Sequence, residues 1–186
     1  MHVRSGLITS PWFTWILDNH WDFAGAERTA VGQLVYESKY KHSSSATLEL
    51  ESIARHSILQ ISKFSLSGGP SGVECVIAVP SSSRPGDAST LPRKLAGVVS
   101  RALGVPDASH MVSITPGLEA AKNGASRKAN EFSVPSKFDF QNVLLVDDLI
   151  STGQTMVALG GCLGAHNSRI RLSGFALTKV QKGLGS

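Results

Sequence analysis

The chain has 186 residues and a hydrophobic fraction of 41%, which favours a single domain over residues 1–186 with a buried core. It contains neither an 18-residue apolar run nor an N-terminal apolar segment followed by a small-residue cleavage site, so we expect no membrane segment and no signal peptide. The dispersed net charge of +4 suits a small polyanionic substrate and permits contact with nucleic acid without requiring it.

The N-terminal third is predicted to be helical, because apolar residues recur there mostly at helical spacing. The predicted helices are Pro11–Trp21, Glu27–Tyr40 and Thr47–Phe64. The three serines at 43–45 are expected to form a loop, and the small residues at 67–72 mark the clearest break in the chain. We therefore expect a small helical hood or cap over residues 1–66, followed by an α/β core over residues 73–180.

Strands and helices alternate through the predicted core. The predicted strands are Val73–Val79, Met111–Ile114, Val143–Val146 and Ile170–Leu177, and the predicted helices are Leu91–Leu103 and Gln154–Leu163. Such alternation implies parallel strands joined by right-handed crossovers. We expect an α/β fold with a central parallel sheet of about four or five strands, helices on both faces, and the N-terminal helices over one face or edge.

The two cysteines, Cys75 and Cys162, both lie in apolar segments. Buried, reduced thiols are the default for such positions, and they favour a cytoplasmic location. The chain has no CxxC pair, so structural zinc is not expected.

The most informative segment covers residues 143–156, VLLVDDLISTGQTM. Four apolar residues predict a buried strand that stops at Asp147 and Asp148, and small hydroxylated residues and glycine lead from there into a helix. The acids should therefore lie at the carboxyl end of a strand, beside a helix N-terminus, where open α/β sheets bind ligands. Carboxylates can hold ribose hydroxyls, and the free N–H groups can hold a phosphate. The segment predicts both halves of a ribose-5-phosphate site.

Other interpretations of the acidic pair exist. It could supply the magnesium-binding acid of a nucleoside triphosphatase, but that site needs a GxxxxGK[ST] loop, which the chain does not contain. It could form the acid pocket of a phosphoacceptor receiver domain, which gives no reason for the Thr-Gly-x-Thr that follows. It could also be a structural strand that ends in a solvated acidic turn.

The run VLLVDDLISTGQT resembles the signature of the type I phosphoribosyltransferases, which bind phosphoribosyl pyrophosphate (PRPP) through it. The resemblance implies that Asp147 and Asp148 accept hydrogen bonds from the ribose 2- and 3-hydroxyls. It also implies that a loop wraps the 5-phosphate with N–H groups and hydroxyls. The residues of that loop are Ser151, Thr152, Gly153, Gln154 and Thr155.

The turn after the first core strand lies at the same edge of the predicted sheet as the acids. In the family this loop contacts the pyrophosphate of PRPP, which serine hydroxyls, N–H groups and an arginine could do here. The implied pyrophosphate-binding residues are Ser81, Ser82, Ser83 and Arg84. The alternative is an ordinary serine-rich surface turn.

The long segment 115–140 separates two predicted strands, and connections of this length are normally functional or disordered. In the family such a loop closes over the active site, which implies a catalytic role for Arg127 in stabilising developing charge. The ComF-type competence-associated members are the subset that this chain resembles most. The matching positions are Leu118, Arg127, Asn130 and Phe132, with LVYESKY at 34–40 similar to their lysine-tyrosine segment. The alternative is a solvated charged loop.

The resemblance implies a phosphoribosyltransferase that moves the 5-phosphoribosyl group of PRPP to a nitrogenous base or related acceptor and releases pyrophosphate. Mg²⁺ is expected to arrive with PRPP, near Asp147 and Asp148, without a direct protein metal site. The turn at 84–87 departs from the Arg-Gly-Phe-Asn run of the ComF-type members. A non-catalytic PRPP- or nucleotide-binding accessory with DNA-processing protein partners, and direct DNA binding, therefore stay open. The acceptor base and the oligomeric state are open as well, a homodimer included.

Overall fold

A computed structural model describes residues 4–5, 14–22, 27–64, 72–81, 86–114, 132–135 and 138–180. In chain order its elements are β1 (Arg4–Ser5), β2 (Thr14–Asn19), α1 (Ala30–Tyr40), α2 (Ser44–Phe64), β3 (Cys75–Ala78), α3 (Leu91–Leu103), β4 (Ser113–Ile114), β5 (Phe132–Ser133), β6 (Asn142–Ile150), α4 (Gln154–His166) and β7 (Arg171–Lys179). The predicted α/β class is confirmed.

The central sheet has the strand order β1-β2-β7-β6-β3. Strands β2, β7, β6 and β3 are parallel, and β1 is antiparallel to β2. Strand β6 therefore lies between two parallel neighbours. The prediction that Met111–Ile114 belongs to this sheet is wrong, because Ser113–Ile114 pairs antiparallel with β5 in a separate two-stranded sheet.

Strand β2 replaces part of a predicted helix. Residues 14–19 pair in parallel with β7, whereas Pro11–Trp21 was expected to be helical. The first four residues of β2 are buried, with Trp15 and Leu17 in one cluster of the core and Ile16 in the other. A short run that is apolar on both sides has no distinctive periodicity, and its pairing with β7 on one edge and β1 on the other makes it a strand. Residues 11–13 lie outside the described part of the chain.

Side-chain caps define where the first two helices begin. Thr29 precedes α1: its Oγ1 accepts the N–H of Gly32 at 3.1 Å and donates to the Asn19 carbonyl at 2.6 Å. Ser43 precedes α2 in the same way, with its Oγ accepting the Ala46 N–H at 3.2 Å. The serines at 44–45 therefore lie in the helix and not in the expected loop, because a serine before a helix satisfies an N–H group that would otherwise lack a partner.

Helices cover both faces of the sheet, as expected. On one face α1, α2 and α3 pack around Val35, Leu50 and Leu95 against Leu144 and Phe175. On the other face the core residues of α4 lie with those of β4 and β5, and Phe132 is part of that cluster. Helices α1 and α2 thus share a core with α3, and their role as a hood stays a prediction.

Both cysteines are buried and free. Burial raises the pKa of the Cys75 thiol to about 12, so this thiol is an apolar core group at neutral pH. None of the helices in the described ranges combines the length and the apolar character needed to cross a membrane.

The contact between β2 and β7 gives the first prediction. A Cβ on Gly174 would lie 2.5 Å from Thr14 Oγ1 and 3.0 Å from Met156 Sδ. We expect Gly174→Ala to lower the free energy of unfolding by about 1–3 kcal/mol, because the closely packed core has no room for the methyl group. Urea unfolding measures the change.

Two further variants control this measurement. A Cβ on Gly164, in the last turn of α4, meets nothing within 4 Å, so Gly164→Ala should be neutral or stabilising by up to about 1 kcal/mol. Adding Thr14→Ala to Gly174→Ala should recover part of the lost stability, because it removes the Thr14 side-chain atoms that the new methyl group would contact. A Gly174→Ala variant as stable as the wild type would contradict the position of β2.

Candidate functional site

The two neighbours of β6, β3 and β7, stop pairing with it at different residues. Pairing with β3 stops at Ala78 and Val146, where the Val79 N–H donates to the Val146 carbonyl at 2.8 Å. Pairing with β7 continues to Ile150. The predicted strand ended at Val146, so the structure places Asp147 and Asp148 within a longer strand and not in a turn. Continued pairing with β7 is the reason, and it holds the two acids on regular strand backbone.

A cavity of about 520 Å³ opens where β3 ends. Its volume falls within the usual range of small-molecule sites. Its walls come from the end of β3, the junction of α1 and α2, the first turn of α3, the acids of β6 and the first turn of α4. The polar residues among them are Ser38, Lys39, Tyr40, His42, Ser44, Thr47, Ser81, Ser89, Thr90, Lys94, Asp147, Asp148 and Thr155.

An ion pair joins Asp148 to Lys39 of α1. The Lys39 Nζ lies 3.0 Å from each carboxylate oxygen, and Asp148 is 2% exposed. Burial lowers the pKa of Lys39, but the charge of Asp148 and its hydrogen bond outweigh burial and raise that pKa. The ammonium group donates its hydrogen bond to Oδ1, whereas Oδ2 accepts none from the described residues. Oδ2 is itself buried and lies 3.0 Å from the same ammonium group.

Asp147 differs from its neighbour because side chains alternate along a strand. It is half-buried, and its Oδ1 accepts the Asp148 N–H at 2.8 Å. Burial raises the pKa of Asp147 well above its usual range, and the charge of Asp148 raises it further. Asp147 therefore binds a proton more readily than an ordinary aspartate.

Strand β7 supports the acids from the other side. The hydroxyl of the fully buried Thr178 lies 3.3 Å from the Asp148 carbonyl oxygen and 3.4 Å from His20 Nδ1. Burial lowers the pKa of His20, and the charges of Arg28 and Lys39 act in the same direction. A neutral His20 therefore lies behind the acidic pair at neutral pH, and the polar contact extends from β2 across β7 to β6.

The loop predicted to hold a phosphate leads directly into α4. Gly153, the N-cap residue, has φ 77° and ψ −4°, a left-handed conformation that favours glycine. The Gln154 N–H donates to Thr152 Oγ1 at 3.4 Å. Ser151, Thr152 and Gln154 are exposed, while Thr155 is half-buried and reaches the cavity. Of the five predicted loop residues, Thr155 alone lines the cavity with the acids.

The other predicted site residues lie partly at the cavity and partly outside the described residues. Of the pyrophosphate-binding set, Ser81 lines the cavity, and residues 82–84 lie outside the described part of the chain. Arg127 lies outside it as well. Phe132, which matches the ComF-type run, is 5% exposed and belongs to the core beneath α4.

Several cavity residues had no sequence signal as site residues. Lys39 and Tyr40 lie in the LVYESKY match, but the sequence predicted no role for either side chain. His42, with φ 52° at the turn between α1 and α2, and Lys94 of α3 were not identified at all. A backbone in the left-handed region is uncommon for histidine, and no sequence pattern marks it. Within the described ranges, no group of three His, Cys, Asp or Glu side chains is placed to hold a metal ion.

A comparison of the chain with models of known protein families and with curated proteins finds no match. The functional assignment must therefore come from the residues themselves. Their arrangement brings two carboxylates, two lysines and several hydroxyls to one cavity beside the N-terminus of α4. Such a site suits a ligand that carries both hydroxyl groups and phosphate.

The raised pKa of Asp147 gives a pH-dependent prediction. Between about pH 4 and the raised value, the folded state binds more protons at this group than the unfolded state, so its contribution to stability falls as pH rises. Asp147→Asn removes this loss, and the amide oxygen can still accept the Asp148 N–H. We expect the variant to be more stable than wild type at pH 8, by on the order of 1 kcal/mol, with a gap that shrinks toward pH 4.

Urea unfolding from pH 4.5 to 8 measures this difference. Asp139→Asn, the same substitution at an exposed carboxylate, controls for general effects of the amide. A gap between Asp147→Asn and wild type that stays constant with pH would contradict the prediction.

Proposed function

We propose that this chain is a PRPP-binding protein of the type I phosphoribosyltransferase kind, most like the ComF-type members. It transfers the 5-phosphoribosyl group of PRPP to a nitrogenous base or related acceptor and releases pyrophosphate. One observation carries the proposal. Asp147 and Asp148 line a single cavity with the first turn of α4, which begins at a left-handed Gly153.

The ribose and the 5-phosphate take the β6–α4 side of the site. Asp147 and Asp148 accept hydrogen bonds from the ribose hydroxyls, and residues 151–155 hold the phosphate. A helix N-terminus contributes only about 0.3–1 kcal/mol per charge, and a micromolar ligand needs about 8 kcal/mol. Binding therefore requires the carboxylates, the loop and the cavity walls together.

The pyrophosphate lies toward the end of β3. Ser81, Lys39 and Lys94 line the cavity, with Lys39 on α1 and Lys94 on α3. Lys39 is one-third exposed, so its ammonium group can contact a ligand phosphate while it remains beside Asp148. These cations offset charge on the leaving group. The proposed catalytic set is Asp147 and Asp148 with Arg127 from the long segment.

Mg²⁺ fits the donors present at the site. The oxygens of Asp147 and Asp148 are ligands of the hard type that Mg²⁺ prefers, and PRPP itself supplies the phosphate oxygens. When bound, the ion neutralises charge on the departing pyrophosphate. Asp147 is the more accessible of the two acids, because Asp148 is engaged by Lys39.

The proposal predicts that PRPP binding depends on the acidic pair. In calorimetry with PRPP and Mg²⁺ we expect the double variant Asp147→Asn/Asp148→Asn to bind at least about tenfold more weakly than wild type, since hydrogen bonds to charged acceptors contribute about 1.5–3 kcal/mol each. Asp139→Asn, at an exposed site, should bind as wild type does. If the double variant and wild type bound PRPP with equal affinity, this would contradict the assignment of Asp147 and Asp148 to the PRPP site.

A pyrophosphate-release assay over a panel of free bases then separates the enzyme from its alternative. Release with at least one base supports transfer. Binding of PRPP with no release for any base instead supports a non-catalytic accessory in DNA uptake or processing. A steep dependence of DNA affinity on salt, without PRPP binding, would favour direct nucleic-acid binding.

A further inference from the structure

A second groove lies between α2 and α3, and it shares no lining residue with the cavity at the acidic pair. Its volume is about 570 Å³. On the α2 side Leu48 is 66% exposed, and one exposed apolar side chain is ordinary at a protein surface. The groove also has apolar residues that lie deeper, because Val98 is buried and Leu59 and Ala102 are half-buried. One surface therefore carries both an exposed leucine and an apolar recess able to receive one.

The α2 wall of this groove is a stripe of four residues along one side of the helix. Leu48, Ser52, Arg55 and Leu59 are separated by four, three and four positions, a spacing that keeps side chains on one face. The spacing is the same from either end, and a leucine stands at each end, about 16 Å apart along the helix axis. A second copy of α2 laid antiparallel on the stripe therefore places Leu48 of each copy beside Leu59 of the other.

The charges of the groove follow the same symmetry. Glu51 lies in the half of the stripe that contains Leu48, and Arg55 lies in the half that contains Leu59. Although Glu51 and Arg55 are four residues apart on one helix, neither makes an ion pair with another described residue. In the antiparallel arrangement each Glu51 faces Arg55 of the other copy. The midpoint of 51 and 55 lies within one residue of the midpoint of 48 and 59, so a single two-fold axis serves both pairings.

We propose that the groove between α2 and α3 is the interface of a homodimer, with a second copy of this chain as its occupant. A copy of the chain matches the leucines and the charges together, whereas an acidic peptide would pair with the arginines and leave Glu51 opposed by like charge. Ion pairs at a surface contribute little affinity, so the leucines supply most of it and the charges fix the register. The inference does not depend on the proposed function, because the groove and the cavity have separate walls.

Sedimentation velocity over a range of protein concentrations tests the interface. We expect wild type to show a reversible equilibrium between monomer and dimer. Leu48→Ala should raise the dissociation constant of the dimer at least about tenfold, because each dimer contains the substitution twice. The control is Tyr40→Ala, which truncates a side chain of similar exposure, 68%, outside the groove and should leave the dissociation constant unchanged.

Charge reversal tests the antiparallel register. Glu51→Arg and Arg55→Glu should each weaken the dimer, because each sets like charges against each other twice across the two-fold axis. An equimolar mixture of the two variants should form a heterodimer, since every acid of one variant then faces an arginine of the other. The variants are the same proteins in the separate and mixed samples, so recovery in the mixture requires contact between two chains.

Three results would each overturn the proposal. They are a wild type that stays monomeric at every concentration, a dimer that none of the groove variants weakens, and a mixture of the charge variants that does not recover. Urea unfolding of each variant verifies that it is folded before its association is measured.

Discussion

The ion pair between Lys39 and Asp148 is the contact on which the site depends. Asp148 lies on the central strand with 2% exposure, and removing a carboxylate from water costs several kcal/mol unless a partner compensates for it. Lys39 is that partner, and it belongs to a helix on the opposite side of the cavity. One interaction therefore compensates a buried charge and joins the end of α1 to β6.

The cavity itself follows from unequal strand lengths. Because β3 ends at Ala78 while β6 continues to Ile150, the upper part of β6 is paired with β7 alone. A longer β3 would fill this space. Because β3 is short, the space stays open and helix ends form its walls. Helix termini carry backbone groups without partners inside the helix, so the site is polar although both clusters of the core beneath it are apolar.

The sequence allowed most of the local structure to be predicted. Most strands and helices of the α/β core and the approach of Asp147, Asp148, Ser81 and Thr155 to one edge follow from short-range patterns. The wrong predictions concern segments whose structure depends on a pairing partner that is distant in the chain. Residues 14–19 form a strand because β7 and β1 pair with them, and Ser113–Ile114 leaves the central sheet because β5 pairs with it. Lys39 lies in the LVYESKY match, but its ion pair could not be predicted, since its partner Asp148 is far away in the chain. The family resemblance itself remains a hypothesis.

The pairing of β2 with β7 also determines when this part of the sheet can form during synthesis of the chain. Thr14 lies next to Gly174 in the finished sheet, so β2 leaves the ribosome long before its partner strand does. Contacts between such distant segments form late, because the loop between them must first be closed. The apolar Trp15, Ile16 and Leu17 stay without their strand neighbour during that interval, when unpaired strand edges are prone to aggregate. Helices α1 and α2, made directly after β2, can cover Trp15 and Leu17, whereas Ile16 lies on the other face of the sheet.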